Sequence, residues 1–168
     1  MEHSRTADHI FSIKSIIEQY KLKKKKVYAA FIDLKKAFDT IWRIGLFYIL
    51  LKNGVPKKIF NVIYSMYANT MNKIKFNEGL SEPFISERGV KQGDVLSPLL
   101  FNIFINKIVE ELNSINSDPI LIKDTKIHCL LYADDLVLLS SSPNGLQCSL
   151  NILENYCVNW KLEINTSK

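Results

Sequence analysis

Asp134 and Asp135 stand side by side in "LLYADDLVLLS" (130–140), between two runs of large apolar residues. Apolar runs this short, bounded by turn chemistry, read as strands buried by their neighbours. The middle of such a segment is a costly place for negative charge, because one buried carboxylate left uncompensated costs roughly several kcal/mol. Along a continuous strand the two side chains would point to opposite faces, whereas the tip of a tight hairpin can present both. The stretch is therefore expected to fold as a hairpin whose tip carries carboxylates at a sheet edge. Like charges so close resist double ionisation, and a divalent cation relieves them. A hard cation such as magnesium takes oxygen ligands and shares its remaining positions with water and phosphates. Asp33, which closes the apolar run "VYAAFID" (27–33), is the candidate third carboxylate. Two ions about 3.5–4 Å apart on Asp33, Asp134 and Asp135 would clamp the attacking and leaving oxygens of a phosphoryl transfer. Read alone, Asp-Asp in a turn needs no metal, since aspartate favours turns in its own right.

The elements that must position these residues come from a chain of 168 residues, 47% of them hydrophobic. That length suits one ordinary domain, which would bury about 70% of its unfolded surface. A net charge of +5 permits a nucleic-acid partner without requiring one. Cys129, Cys148 and Cys157 form no C-x-x-C pair, so neither a zinc site nor a disulfide scaffold is suggested, and a reducing, intracellular setting is expected. The most apolar stretch, "VLSPLLFNIFI", is interrupted by Ser97, Pro98 and Asn102 and falls short of a membrane span of about 20 residues. The start, "MEHSRTADHI", is too polar for a signal peptide.

Ile10, Ile13, Ile16, Ile17 and Tyr20 form a helical stripe over 6–21. "KLKKKK" (21–26) follows, readable as a solvated helix end, as a phosphate contact or as a weak nuclear-targeting patch. After the strand ending at Asp33, one helix is predicted over 37–51, closed by Asn53-Gly54, with a second from Pro56 to about Ala68. "NKIKFN" and "EPFISERGV" flank "EGLS" as a hairpin. Ser97 as N-cap and Pro98 at the first helical position open a helix through Leu112, with Leu99, Ile103, Ile105, Ile108, Val109 and Leu112 on its apolar face. "KIHCLLY" and "LVLLSS" are the strands around the Asp pair, "SPNG" (142–145) is a turn, and a helix runs from Leu146 to about Asn159. "LEIN" (162–165) is a short last strand. Helices and strands alternate irregularly, which predicts an α+β fold with a small antiparallel sheet flanked by helices.

The segments around the aspartates resemble the reverse transcriptases of non-LTR retrotransposons and group II introns. "YADD" (132–135) is similar to that family's catalytic hairpin, and "AFIDLKKAFDTI" (30–41) to its first metal-binding motif. "RGVKQGDVLSPLLFNIFI" (88–105) resembles the motif that touches template and nucleotide, and "WKLEINTSK" (160–168) matches W-x-L-x-I-N-x-x-K. The four occur in the family's order, and "SRTADHI" resembles the end of an upstream segment, so the likeness covers essentially the whole chain. It implies a polymerase palm over about 27–41 and 93–168, with part of the fingers over about 42–92.

The resemblance also implies an RNA-directed DNA polymerase that joins a dNTP to a primer 3′-hydroxyl on an RNA template, using two magnesium or manganese ions on Asp33, Asp134 and Asp135. A backbone carbonyl of Ile32 or of Leu34 would add a ligand. Phe38 matches the bulky residue that excludes a ribose 2′-hydroxyl, with plain core packing as the alternative. Gln92 and Gly93 match the pair beside the templating base and the incoming nucleotide, the alternative being an ordinary loop. Tyr132 would lie near the primer end or serve as a core strand residue, and Lys168 falls at the position of a proton donor to pyrophosphate. Asp39 reads as a solvated helix residue, the alternative being an acid that supports the site without touching substrate. The family's fingertip strands, primer grip and thumb have no counterpart in these 168 residues, so the chain by itself is expected to fold without polymerising appreciably. The competing reading is a non-catalytic remnant that folds and binds nucleic acid.

Overall fold

In the first of two compact units, Ile16 and Tyr20 of helix α1 (Thr6–Leu22) are buried, one helical turn apart. Ile10 and Ile17, on the same predicted stripe, remain exposed. The buried pair packs with Ile120 and Leu139 against Val27, Ile122, Ile127, Leu130 and Val137. The Tyr20 hydroxyl accepts the Leu121 amide at 2.7 Å, which ties α1 to a small hairpin that sequence periodicity did not reveal. The computed structural model describes residues 6–68, 70–77, 79–115 and 117–166. Within them the first unit takes in 6–35, 106–115, 117–159 and 163–166, and the second 36–68, 70–77, 79–105 and 160–162.

The first unit is built on β1 (Tyr28–Asp33), β8 (Cys129–Tyr132) and β9 (Asp135–Ser140), an antiparallel sheet in the order β1-β9-β8. Being central, β9 is covered on both faces: Leu136 and Leu138 are buried on one and Leu139 on the other. That is why "LVLLS" is continuously apolar rather than alternating. The hairpin against α1 is β6 (Ile120–Ile122) with β7 (Thr125–Ile127).

Helix α6 (Pro143–Trp160) begins earlier than predicted. "SPNG" is its first turn: Ser142 accepts the Gly145 amide at 2.9 Å, and Pro143 takes the first helical position. Gly145 is there because a Cβ would stand 2.4 Å from the Ser117 carbonyl and from Ser140 Oγ. Ser140 Oγ itself donates to the Ser117 and Asp118 carbonyls at 3.1 and 2.9 Å, so it cannot yield cheaply. Gly145→Ala is accordingly expected to destabilise by roughly 1–3 kcal/mol, the usual cost of overpacking. Urea unfolding checks it, and an unchanged midpoint would show that this corner gives way.

His128, between β7 and β8, is 4% exposed, and its Nδ1 lies 3.0 Å from Ser117 Oγ. Burial, and then the charge of Lys126, lowers its pKa from the ordinary value near 6.5. The unfolded chain therefore takes up this proton at a higher pH than the folded one. Its contribution to stability is complete above about pH 6.5 and is lost as pH falls below that value toward the lowered folded pKa. Unfolding free energy followed from pH 7.5 to 5 should fall on the acid side, and His128→Gln should remove that component. Equal slopes in parent and variant would refute the assignment.

In the second unit the helix predicted over 37–51 is broken. A short α2 (Ala37–Thr40) precedes α3 (Arg43–Lys52), and Ile41 and Trp42 between them are extended. Apolar periodicity runs through the break, but the backbone there pairs with 88–90 instead. The Gly89 amide donates to Ile41 O at 2.9 Å, the Val90 amide donates to Phe38 O at 2.8 Å, and Trp42 bridges Arg88. The close of α3 is as predicted: Gly54, at φ +72°, and Val55 donate to Leu51 and Leu50 in a Schellman arrangement. The end of α1 repeats that geometry with Lys24 at φ +54° in the glycine position.

Phe47 of α3 meets Phe60 and Tyr64 of α4 (Lys57–Ala68) at ring distances of 6.0 and 5.1 Å. The predicted hairpin forms as two nested ladders, β2 (Met71–Asn72) with β5 (Phe84–Ile85) and β3 (Lys75–Phe76) with β4 (Gly79–Leu80), so that β4 lies within the predicted "EGLS" connection. Helix α5 (Ser97–Asn113) buries Phe101, Phe104, Ile105, Ile108 and Leu112, a face turned away from the predicted Leu99, which is exposed. Ser97 is not its cap: the hydroxyl donates to the Lys91 carbonyl, and Asp94 Oδ1 accepts the Leu96 amide at 2.9 Å.

Candidate metal centre

The β8–β9 connection is the two-residue turn Ala133–Asp134, with Ala133 at φ +51°. Asp135 is the first residue of β9 and stands opposite two strand ends, Asp33 of β1 and Tyr132 of β8. Side chains directly opposite in antiparallel strands share a face, with Cβ atoms about 4.5–5.5 Å apart. Asp33, Asp135 and Tyr132 thus form one row across the sheet, and two of the three are carboxylates facing each other.

Residues 163–165 return beside this row. The Lys35 amide donates to Glu163 O and the Asn165 amide to Asp33 O, both at 2.8 Å, while Leu34 bridges Ile164. Asn165 Nδ2 donates to Asp33 Oδ2 at 2.7 Å, so the predicted "LEIN" segment holds the Asp33 carboxylate through a side chain that local pattern does not single out. The His9 ring of α1 lies 5.2 Å from that of Tyr132, inclined at 54°.

Of the three predicted metal ligands, the fold therefore sets Asp33 and Asp135 face to face and leaves Asp134 in the adjoining turn. Among the described residues no group of three His, Cys, Asp or Glu is gathered closely enough to hold a metal ion. Lys168 lies outside the described residues.

In the second unit, Phe38 is half-buried and stacks on buried Phe101 at 4.5 Å and 22°. Gln92 Nε2 donates to Asp39 Oδ1 at 2.7 Å, so Asp39 is engaged rather than merely solvated as expected. The two are 53 residues apart, and no local signal marks the contact. Gly93 takes φ +81°, and a Cβ placed on it would meet nothing within 4 Å. It combines a backbone that disfavours side chains with open space above it. Gly89, at φ +80°, is the opposite case, since its Cβ would fall 2.7 Å from the Asp39 carbonyl.

A small antiparallel sheet with carboxylates at one end, set among helices, defines the class. The fold is shared with the telomerase of Candida albicans, solved in complex with the TWJ fragment of telomeric RNA, at a TM-score of 0.71 and 15% identity over 98% of this chain and 30% of that one. A Candida tropicalis telomerase truncated from its C-terminal domain matches at 0.71 and 19%, over 96% of this chain and 33% of that one. The chain belongs to the reverse transcriptase (RNA-dependent DNA polymerase) family, which matches over residues 2–168.

Among curated relatives, the Pol polyprotein of the type-1 retrotransposable element R2 of Nasonia vitripennis is 33% identical over 88% of this chain and 14% of its own length. That of Bradysia coprophila is 31% identical over 95% of this chain and 18% of its own length. The RNA-directed DNA polymerase of the mobile element jockey of Drosophila funebris is 29% identical over 86% of this chain and 16% of its own. The chain thus spans less than a fifth of these relatives. No described helix is long and apolar enough to cross a membrane.

Proposed function

We propose that the chain carries the nucleotidyl-transfer chemistry of an RNA-directed DNA polymerase, which joins a dNTP to the 3′-hydroxyl of a DNA primer on an RNA template and releases pyrophosphate. The observation that carries this reading is the facing of Asp33 and Asp135 across the β1–β9 ladder, beside the turn residue Asp134, in a chain of this family. Their oxygens are the donors that hard divalent cations prefer, and two opposed carboxylates are the arrangement that a cation relieves. Asp33, Asp134 and Asp135 would hold two magnesium or manganese ions, whose chemistry is to polarise the phosphoryl group and offset charge on the attacking and leaving oxygens.

The remaining roles belong to the chain's own residues. Asn165 steadies Asp33 through its 2.7 Å hydrogen bond. Tyr132, in the carboxylate row, attends the primer end. The Phe38 ring, held on one side by Phe101, bars a ribose 2′-hydroxyl. Gln92 and the open backbone of Gly93 lie along the templating base and incoming nucleotide, and Lys168 donates a proton to pyrophosphate. In this reading the palm comprises about 27–41 and 93–168, and the fingers part about 42–92.

Primer extension on an RNA template with manganese tests the proposal in two settings. In a polypeptide of the relatives' length carrying this chain as its polymerase segment, extension is expected, and Asp134→Asn should eliminate it. Extension that survives the substitution would overturn the reading. The 168-residue chain alone should not extend appreciably, because positioning of the reactants accounts for roughly 7–11 kcal/mol of barrier reduction. Its charge of +5 offers few phosphate contacts, so duplex binding should be weak and should fall steeply with salt. Robust extension by the chain alone would show that its own surface supplies the positioning.

A further inference from the structure

Gln92 carries two chemically opposite ends, an amide nitrogen that donates and an oxygen that accepts. Which end faces a ligand depends on what fixes the other, and that choice is settled by partners rather than by shape. A carboxylate only accepts, so a Gln92 bonded to Asp39 must turn its nitrogen toward that carboxylate, which leaves Oε1 and a second N–H for other partners. The observed 2.7 Å contact has this polarity, Nε2 to Oδ1.

The two residues also sit on one clamped piece of backbone. Gly89 and Val90 donate to the carbonyls of Ile41 and Phe38 at 2.9 and 2.8 Å, on either side of Asp39 along the chain. Arg43 Nε holds the Gly89 carbonyl at 2.8 Å from the other side. Gly89 lies so close to the Asp39 carbonyl that a Cβ would stand 2.7 Å from it. Slippage of the 88–92 segment past α2 would break all of these together, so the Asp39–Gln92 hydrogen bond is formed between anchored backbones although both side chains are exposed.

We infer that Asp39 is a positioning residue for Gln92, holding its amide nitrogen so that Oε1 is kept as a hydrogen-bond acceptor for a ligand. The group that Oε1 would meet is a donor. On the function proposed above, on which this part rests, that donor belongs to the incoming deoxynucleotide, either a sugar hydroxyl or a base amino group. Asp39 itself touches no substrate in this scheme and acts only through Gln92.

Two measurements separate the inference from the reading beneath it. The first is the side-chain amide signal of Gln92 in 15N-labelled protein, assigned by its loss in Gln92→Glu. Asp39→Ala should shift both amide protons and speed their exchange with water. Asp39→Asn, whose oxygen can still accept, should restore most of the parent signal. Amide protons indifferent to both substitutions would overturn the inference whatever the protein's activity.

The second is the dissociation constant for dNTP with magnesium in parent, Asp39→Ala, Gln92→Ala and the double variant. Asp39→Ala should weaken binding about fivefold, the factor carried by one hydrogen bond of ordinary net strength. In the Gln92→Ala background it should have no further effect, and additive losses would contradict action through Gln92. If Gln92→Ala leaves dNTP affinity unchanged while the amide signal still responds to residue 39, the nucleotide role of Gln92 fails and the positioning by Asp39 stands.

Discussion

Arg43→Ala is expected to lower the unfolding free energy by roughly 2–5 kcal/mol, because buried carbonyls deprived of their donor cost about 1–3 kcal/mol each. Arg43 is 6% exposed, and among the described residues no carboxylate pairs with it. Its guanidinium donates instead to the carbonyls of Gly89 at 2.8 Å, Tyr67 at 2.9 Å and Ser86, and lies 5.4 Å over the Tyr67 ring. Desolvation lowers its pKa, with Tyr67 working weakly the other way, yet an arginine stays charged under any ordinary condition.

One side chain therefore holds the start of α3, the end of α4 and the 86–89 segment. Removing it takes a donor from the Gly89 and Ser86 carbonyls, at about 1–3 kcal/mol for each that water does not reach, while the Tyr67 carbonyl keeps the Thr70 hydroxyl at 3.2 Å. Arg43→Lys should recover only part of the loss, because an ammonium keeps the charge but cannot match the planar fork. Urea denaturation of the three proteins checks the order parent, Lys, Ala. A lysine variant as stable as the parent would mean that charge rather than geometry is what this site needs.

The contrast between Arg43 and Asp134 shows what kind of information lies in a sequence. Asp134 and Asp135 were legible because their cost is local: two charges among strand-forming residues are intelligible only at a hairpin tip, where the fold puts them. The Asn53-Gly54 ending of α3 was legible for the same reason, since glycine there supplies a positive φ. Four other left-handed positions, Lys24, Lys36, Lys123 and Lys161, carry no such mark, and they escape any reading of turn residues.

The break at Ile41–Trp42 was hidden too, because helical periodicity continues through it while the deciding hydrogen bonds come from Gly89 and Val90. Gly145 looked like turn chemistry until the close approach of Ser117 and Ser140 explained it. For the candidate site, residue types pointed to the carboxylates. The partners that hold site residues, Asn165 on Asp33 and Asp39 on Gln92, are set by contacts across 132 and 53 residues. Side-chain roles that depend on tertiary neighbours leave little trace in local pattern.

Asp135→Asn is expected to reverse its effect on stability according to whether divalent metal is present. Without metal, Asp33 and Asp135 face each other as like charges across the β1–β9 ladder, an arrangement that costs roughly 0.2–1 kcal/mol on an exposed face. Asparagine keeps the shape and removes the repulsion, so the variant should melt slightly above the parent in chelator. With metal the order should invert. An ion that binds only the folded state stabilises by RT ln(1 + [L]/Kd), about 2.7 kcal/mol at a hundredfold excess over Kd. The parent should gain this and the variant should not, since one of its charged oxygen donors has been neutralised. Asp134→Asn should likewise lose the manganese response. Its stability in chelator should move less than that of Asp135→Asn, because Asp134 sits in the turn rather than opposite Asp33, and asparagine suits a turn as well as aspartate. Thermal melts of the three proteins in chelator and in millimolar manganese, with calorimetric titration alongside, give the full comparison. A parent that gains no stability from manganese, or a variant that gains as much, would remove the metal site from Asp33 and Asp135 and leave their opposition as a structural cost with no compensating ligand.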